Sequence, residues 1–486
     1  MVNAYNTRTK QVEPLAADGD TIRMFVCGPT VYDYIHIGNA RTFVVFDVVA
    51  RALRAQGVQV TYIQNITDID NKIIQRAHTE KKAAEDVARY FTQAFYTDTR
   101  ALGITSPSAY VRATDVITAI IQQIQTLISK RYAYAVPARK AEGHAALDPV
   151  GLSDVYFDVR AYEADFPHAY GALSGHTDPK QLVEGSRIAL EENKRSARDF
   201  VLWKAKNYAY EPSWESPWGH GRPGWHIEDT AISETYFGSQ YDLHGGAQDL
   251  IFPHHEAEIA QQQAASGKTP FVRHWMHAGF LHMGEEKMSK SLGNIVSLRE
   301  LLEKYSPQAI RLFLLGAHYR SPLTFSYEAL DASETAVNRI RECLDRLVAQ
   351  EENTPQAHTH DGVIAHELAT QHEAALVALN NDFDTPAVIA ALFESIRTIN
   401  TALDKHAIDM HSAQKVFQLF DFFDAVLGVI PRPSAPIPED IRELAEQRQE
   451  AKQAKTFALA DELRDLIIQK GYAIDDTSTG YRLKRK

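Results

Sequence analysis

A strand–helix–strand pattern near the N-terminus constrains the fold of this 486-residue chain more than any other feature. Residues 21–26 are typical of a buried strand, which stops at Cys27-Gly28-Pro29. Residues 38–56 have helical spacing, Gly57 can end the helix, and residues 58–63 are typical of a second strand. This order predicts an α/β domain with a parallel sheet, which binds ligands at the carboxyl ends of its strands. We therefore expect Cys27 to Asn39 to lie on the functional edge.

The later part of the chain changes character twice. Residues 132–206 mix strand patterns with polar loops, and we expect residues 137–153 to form an exposed insertion. Residues 327–427 keep a helical period with few Gly or Pro, which predicts a helix bundle. A proline-rich linker at 430–438 then precedes a small module at 439–486, predicted to be helical and then β.

Composition excludes several classes of protein. With 44% hydrophobic and 23% charged residues, the chain is an ordinary globular protein. No segment approaches the roughly 20 apolar residues of a membrane span, and the start lacks the apolar core of a signal peptide, so we expect a cytoplasmic protein without membrane contact. Only two cysteines occur, Cys27 and Cys343, which argues against a disulfide framework and fits a reducing compartment.

Charge is distributed unevenly along the chain. The net charge of −12 argues against non-specific binding of nucleic acid. Residues 439–486, however, carry 10 Lys/Arg and 10 Asp/Glu, so the acidic excess lies upstream. Four of the last five residues are basic. This distribution allows RNA to bind on one selected face.

The first motif with chemical meaning is His36-Ile37-Gly38-Asn39, at the predicted start of a helix. A helix N-terminus offers unpaired N–H groups and a positive potential, which suits a polyphosphate. His36 can donate to phosphate oxygens, and Gly38 allows a nucleotide to approach the backbone. From these four residues alone, a histidine that only caps the helix is the better interpretation.

The second motif is Lys287-Met288-Ser289-Lys290-Ser291, flanked by Gly284 and Gly293. Lys287 and Lys290 on a glycine-hinged loop can close over pyrophosphate and neutralise charge in a transition state. The alternative interpretation of this motif is an exposed basic loop that binds no ligand. The two motifs, in this order and on a strand–helix–strand scaffold, resemble the signature pair of class I aminoacyl-tRNA synthetases.

A dispersed set of side chains can bind metal. Cys27 ends the first strand, and His254 and Glu258 lie four residues apart on one face of a predicted helix. A thiolate, an imidazole and a carboxylate are acceptable zinc ligands. From spacing alone, a buried free cysteine and a helix-capping histidine remain the better interpretation.

The chain also resembles the cysteinyl-tRNA synthetase family along nearly its whole length. The matching stretches are residues 25–33, 36–41, 65–70, 222–228, 244–246, 249–258, 287–294, 311–326 and 382–386. The resemblance implies an enzyme that uses ATP to activate cysteine and joins it to tRNA(Cys). Its fold is implied to be a Rossmann-like parallel-sheet catalytic domain with an inserted connective domain, an α-helical bundle and a small C-terminal α+β module.

In that family, two cysteines, a histidine and a glutamate hold one zinc ion that binds the substrate thiolate. Cys27, His254 and Glu258 match three of these positions, but the fourth is Asp229. Three outcomes are open: zinc is held with Asp229 as an oxygen ligand, which we favour; zinc binds weakly; or the site holds no metal. Metal analysis of protein never exposed to chelator separates them.

The resemblance also assigns the other site residues. Gly28, Thr30 and Trp225 are expected near the amino acid, although core packing is an equal alternative for Trp225. The residues expected near ATP, which binds with Mg²⁺, are His36, Gly38, Asn39, Gly246, Asp249 and Lys290. Catalysis is expected to rest on His36, Lys287 and Lys290, which position the reactants and neutralise charge. Near the end, Leu483 stands where the family usually has a tryptophan, and Tyr481 is the candidate replacement for stacking on an anticodon base.

By the same resemblance, the domains divide as follows. The catalytic domain comprises residues 1–131 and 207–295, the inserted connective domain 132–206, a stem-contact region 296–326, a tRNA-binding bundle 327–429 and an anticodon-binding module 439–486. A monomer is expected. One rival is a related ligase that joins cysteine to a small aminosugar, but that group lacks the helical region that follows the lysine motif in this chain. A catalytically altered paralogue with an RNA-binding or regulatory role, or an altered amino-acid range, stays open because of Asp229.

Overall fold

The computed structural model describes most of the chain. The described residues are 2–17, 19–141, 146–176, 194–284, 286–287, 295–353, 361–433, 437–477 and 480–485. The chain divides into two compact units. The first comprises Met1–Val337 and Ala357–Ile430, and the second comprises Asn338–Gln356 and Pro431–Lys486. Within the described residues, no helix is both long and apolar enough to cross a lipid bilayer.

The first unit is built on the predicted parallel sheet. A hairpin of β1 (Asn3–Asn6) and β2 (Gln11–Pro14) precedes it. The sheet strands are β3 (Thr21–Val26), β4 (Gln59–Ile66), β5 (Ala109–Arg112), β10 (Tyr241–Ala247) and β11 (Val272–Ala278). Their order is β11-β10-β3-β4-β5, and all neighbours are parallel. The prediction of a parallel α/β sheet is therefore confirmed, although the second predicted strand continues to Ile66.

Helices connect these strands and cover the sheet. They are α1 (Ile37–Ala55), α2 (Asn71–Glu80), α3 (Ala84–Ala101), α4 (Ile117–Ser129), α6 (Ile227–Phe237) and α7 (Glu256–Ser266). α1 is buried along most of its length, including the polar Arg41 and Asp47. Arg311 reaches Asp47 with a 2.8 Å ion pair between side chains that are at most 1% exposed.

The insertion between α4 and α6 forms its own antiparallel sheet. It comprises β6 (Ala133–Pro137), β7 (Ser153–Phe157), the short α5 (Val159–Asp165), β8 (Phe200–Ala205) and β9 (Gly221–Pro223). The sheet order is β6-β7-β8-β9, so it takes its last strand from beyond residue 206. The stretch 137–153 joins β6 to β7, and Val150 in it is 83% exposed; residues 142–145 lie outside the described part. β9 returns the chain to the main sheet just before Trp225.

One hydrophobic core joins the insertion to the parallel sheet. Phe25 and Ile63 from the sheet, Trp203 from β8 and Ile227 from α6 belong to the same buried cluster. Because this core is shared, the start of α6 is held directly against the carboxyl edge of the sheet.

After β11 the chain forms short elements and then long helices. The short elements are β12 (Leu281–Met283), β13 (Glu286–Lys287), α8 (Leu298–Leu302), α9 (Pro307–Leu315) and β14 (Leu323–Phe325). The long helices are α10 (Tyr327–Asn353), α11 (Asp361–Asn380), α12 (Thr385–Asp404) and α13 (Met410–Leu427). These four confirm the predicted helical region.

The C-terminal part of the second unit is a small α+β module. It comprises α14 (Glu439–Gln453), α15 (Phe457–Gln469), β15 (Tyr472–Thr477) and β16 (Gly480–Arg485), with the two strands antiparallel. Ile441, Ile467 and Ile474 form its core, against which Tyr481 and Leu483 pack. The predicted order of helix and then strand is confirmed.

Candidate active site and metal centre

Four side chains from three segments converge at the carboxyl edge of the parallel sheet. Cys27 follows β3, and Asp229 lies in the first turn of α6. Glu258 lies in the first turn of α7, and His254 lies in the short helical segment Ile251–His255 that leads into it. The Oδ2 atom of Asp229 lies 3.0 Å from His254 Nε2 and 3.4 Å from Cys27 Sγ. Glu258 Oε1 lies 2.9 Å from the same nitrogen of His254. The structure thus brings together the four residues expected from the sequence as metal ligands.

Two further histidines contact this cluster. Cys27 Sγ lies 3.2 Å from His255 Nε2 and 3.4 Å from His244 Nε2. Among the described residues, the group whose ligand atoms all lie within 4.8 Å of one another is Cys27, His254, His255 and Glu258. This group contains His255 in place of Asp229. The direct contacts of Asp229 remain, so five candidate donor residues surround the centre.

The side chains of the cluster strongly perturb one another's pKa values. Burial, followed by the charges of Asp229 and Glu258, raises the pKa of the Cys27 thiol well above its usual value. Burial also raises the pKa of Glu258 to about 7. Burial would lower the pKa of His254, but Glu258 and Asp229 outweigh it and raise that pKa to about 9. Acidic groups packed this closely repel one another unless a positive charge lies between them.

The donor set fits a zinc ion. Both carboxylate oxygens of Glu258 are buried, and apart from the 2.9 Å contact between Oε1 and His254 Nε2 they find no hydrogen-bond donor in the part of the chain that the structure describes. Unsatisfied buried oxygens are costly, and a coordinated cation satisfies them. A thiolate, an imidazole and carboxylate oxygens are ligands that zinc accepts in proteins.

Asn65 links the backbone beside Cys27 to Asp229. The Gly28 N–H donates to Asn65 Oδ1 at 2.5 Å, and Asn65 Nδ2 donates to Asp229 Oδ1 at 2.5 Å. A Cβ on Gly28 would lie 1.8 Å from the Asn65 carbonyl oxygen, so a glycine is required there. Asn65 belongs to the family-like stretch 65–70, but no role was predicted for it from the sequence. The available signal was its polar amide just after a predicted strand.

His36 occupies the N-cap of α1. Its Nδ1 accepts from the Asn39 N–H, and Asn39 Oδ1 accepts from the His36 N–H, both at 3.3 Å. A Cβ on Gly38 would lie 2.9 Å from His36 Nδ1, so Gly38 makes room for this ring position. With Nδ1 as an acceptor, the neutral ring carries its proton on Nε2, where it is a donor. His36 can therefore cap the helix through Nδ1 and, at the same time, donate to a phosphate through Nε2–H.

Trp225 is not a core residue. Its side chain is 37% exposed, and its ring stacks on His254 with centroids 4.2 Å apart and planes 12° from parallel. Trp225 thus lies over the metal-binding candidates, on a surface that solvent or substrate can reach.

Thr30 pairs through its backbone with Thr67, just after the end of β4.

Gly246, Asp249 and Lys287 lie in or just after strands. Gly246 belongs to β10, and a Cβ there would lie 2.8 Å from His255 Cε1. Asp249 is exposed in the turn after β10. The backbone of Lys287 in β13 pairs with His282 in β12, and Lys290 lies outside the described residues.

Family models match most of the chain. Residues 13–335 match the model described as tRNA synthetases class I (C) catalytic domain. Residues 377–431 match the DALR domain.

Similar proteins extend this match to the full length. The chain is 40% identical over 487 residues to a protein named cysteine–tRNA ligase from Caldicellulosiruptor saccharolyticus, covering 99% of both chains. It is 38% identical over 488 residues to a protein of the same name from Clostridioides difficile, covering 100% of both. Among solved structures it resembles methionyl-tRNA synthetase from Mycobacterium tuberculosis in complex with methionyl-adenylate, with a TM-score of 0.61, 17% identity and coverage of 84% of this chain and 92% of that chain. The likeness to that structure concerns the fold alone.

Proposed function

Because this chain belongs to the cysteine–tRNA ligase family of class I synthetases, we propose that it activates L-cysteine with ATP and transfers the cysteinyl group to the 3′ end of tRNA(Cys). The observation that carries the proposal is the buried cluster of Cys27, Asp229, His254 and Glu258. It lies on the same edge of a parallel sheet as the capped N-terminus of α1. Such an edge is where parallel α/β sheets bind their ligands.

Selection of the amino acid rests on this cluster. Cys27, Asp229, His254 and Glu258 would hold one zinc ion, with Asn65 fixing the orientation of Asp229. When bound, zinc supplies an affinity for sulfur that the hydroxyl of serine cannot match. The half-exposed ring of Trp225, stacked on His254, would close one side of the amino-acid site.

Gly28 and Thr30 would line the opposite side of the amino-acid site. Both follow the end of β3, and Thr30 is held by its backbone pairing with Thr67. The close approach of Gly28 to Asn65 fixes the position of this backbone relative to the cluster. The amino acid would therefore meet a rigid wall on this side.

Activation of the amino acid is positioning and charge neutralisation. In the proposed step, the cysteine carboxylate attacks the α-phosphorus of ATP, pyrophosphate leaves, and cysteinyl-adenylate forms. The Nε2–H of His36 would donate to phosphate oxygens at the positive end of α1. Lys287 and Lys290 would neutralise the leaving pyrophosphate, which ATP brings to the site with Mg²⁺. No covalent intermediate with the protein is required.

The nucleoside part of ATP would lie at the end of β10. Gly246 leaves the backbone there open to close approach, and the exposed carboxylate of Asp249 can accept from ribose hydroxyls. Gly38 and Asn39 complete the phosphate side at the start of α1.

The second half-reaction joins the amino acid to RNA. The terminal ribose hydroxyl of the tRNA attacks the cysteinyl-adenylate and releases AMP. We assign RNA contacts to the helices of residues 327–429 and to the module 439–486, where Tyr481 would offer the aromatic face for a base. We further propose that the enzyme acts as a monomer in the cytoplasm.

Charging of purified tRNA tests the proposal. The protein with cysteine, ATP and magnesium should attach cysteine to tRNA(Cys) and leave an unrelated tRNA uncharged. A catalytically altered paralogue would bind tRNA(Cys) without charging it, and an enzyme of altered range would charge it with another amino acid. Full-length similarity to proteins named cysteine–tRNA ligase does not favour these alternatives.

A further inference from the structure

We propose that His255 is a ligand of the zinc ion in this chain, so that two adjacent histidines, and not His254 alone, hold the ion. The inference rests on the proposed function and adds to it a ligand that the resemblance to the family does not imply. It concerns the donor set that accompanies an aspartate at position 229.

The distances place His255 inside the donor set. Its Nε2 lies 3.2 Å from Cys27 Sγ, closer than the 3.4 Å between Cys27 Sγ and Asp229 Oδ2. With zinc bonds of about 2.0–2.3 Å, neighbouring donor atoms of a four- or five-coordinate shell lie about 3.0–3.5 Å apart. His255 also belongs with Cys27, His254 and Glu258 to the group whose ligand atoms all lie within 4.8 Å of one another.

The far side of the His255 ring has the partner that a metal-bound histidine needs. His255 Nδ1 lies 2.8 Å from His277 Nε2, and His277 Nδ1 lies 2.7 Å from Thr7 Oγ1. If His277 donates to Thr7, its Nε2 accepts from the Nδ1–H of His255. This assignment leaves a lone pair on His255 Nε2, directed at the cluster. Ligating histidines are typically oriented by such a bond from their second nitrogen.

The aspartate at position 229 leaves the site with a weaker donor for zinc than the cysteine of the family. Asn65 occupies Asp229 Oδ1, so Asp229 can offer the ion only Oδ2. One carboxylate oxygen is a harder donor than the thiolate that the family has there, and an imidazole is borderline in softness. His255 thus adds a nitrogen donor to a site that has lost a sulfur.

His244 provides the matched control. It is buried like His255, and its Nε2 lies 3.4 Å from Cys27 Sγ. Its Nδ1, however, lies 2.6 Å from the Tyr241 hydroxyl, and His244 is outside the group of mutually close ligand atoms. His244→Gln therefore removes an equally buried imidazole without removing a proposed ligand.

X-ray absorption at the zinc edge tests the inference on the full-length protein reloaded with zinc alone. We expect scattering from one sulfur and two imidazoles in the native protein and in His244→Gln, and from one imidazole in His255→Gln. A native site with a single imidazole would overturn the inference, as would loss of an imidazole in His244→Gln but not in His255→Gln.

Zinc affinity, measured by competition with a chromophoric chelator, gives a second readout. His255→Gln should weaken zinc binding at least about tenfold, and His277→Phe, which removes the orienting partner, about 10- to 100-fold. Equal affinity in His255→Gln and the native protein would refute the role. If one imidazole is found while cysteine-dependent adenylate formation persists, only the ligand inference fails. If the native protein binds no zinc, the metal part of the proposed function fails with it.

Discussion

Asn65→Leu tests whether one buried amide organises the amino-acid site. The side chain is 3% exposed, and it accepts from the Gly28 N–H and donates to Asp229 Oδ1. Leucine has a similar size but no polar atom, so both partners lose their hydrogen bond to residue 65. The variant therefore separates the polar role of Asn65 from its packing.

The size of the effect follows from the two lost bonds. An unpaired buried N–H costs about 1–3 kcal/mol, and a hydrogen bond to a charged group is worth about 1.5–3 kcal/mol. Together they predict a loss of about 2.5–6 kcal/mol in the free energy of unfolding of the catalytic unit. Loss of an orienting partner also predicts a zinc affinity about 10- to 100-fold lower. Because Asp229 would no longer be fixed, the KM for cysteine should rise while the KM for ATP changes little.

Gln64→Leu is the matched control, since it makes the same change at the preceding residue. Gln64 is fully buried, and neither atom of its amide has a hydrogen-bond partner in the described part of the chain. This control should be neutral or stabilising. Zinc competition, thermal unfolding and cysteine-dependent pyrophosphate exchange should be measured on both variants. Equal zinc affinity and equal KM for cysteine in the two variants would refute the reasoning.

Three further predictions address other parts of the account. Trp225→Ala should raise the KM for cysteine about tenfold, because the loss of one wall of a small binding site costs about 1–3 kcal/mol. Trp225→Phe keeps an aromatic ring and should retain most of the affinity. Equal KM values for the two variants would contradict a stacking role. Lys290→Ala should lower the pyrophosphate-exchange rate by orders of magnitude with little loss of cysteine binding in equilibrium dialysis, and an unchanged rate would exclude a role for the lysine. Burial would raise the pKa of Asp47, but its ion pairs with Arg311 and Arg51 outweigh burial and lower that pKa. The ionised carboxylate therefore stabilises the fold above about pH 4, and this contribution is lost as the pH falls further. Asp47→Asn should cost about 3–5 kcal/mol at pH 7 and flatten the acid limb of a stability–pH profile, and an unaltered limb would count against it.

The fold was predictable where the hydrophobic pattern agrees with the positions of turn-forming and helix-ending residues. The first strand, its turn at Cys27 and the following helix were correctly located because a buried strand, a turn and a helical period follow one another directly. The extension of β4 to Ile66 was not predicted, because Gln64 and Asn65 are polar residues buried in a strand and interrupt the apolar run. That extension is what brings Asn65 beside Gly28.

The candidate site was only partly accessible from the sequence. Residue type and family likeness pointed to Cys27, His254 and Glu258, since these are metal-binding side chains near predicted element ends. The contacts of His255 with Cys27 and His277 depend on the strand order β11-β10-β3, which joins segments more than 200 residues apart. No spacing along the chain encodes that order. The stacking of Trp225 on His254 depends in the same way on the insertion returning through β9.

Cysteine-dependent exchange of labelled pyrophosphate into ATP tests the central claim most directly, because it reports adenylate formation without requiring RNA. We expect robust exchange with cysteine and far slower exchange with serine at equal concentration, since the proposed cluster selects for sulfur. No exchange with cysteine, or equal exchange with both amino acids, would contradict it.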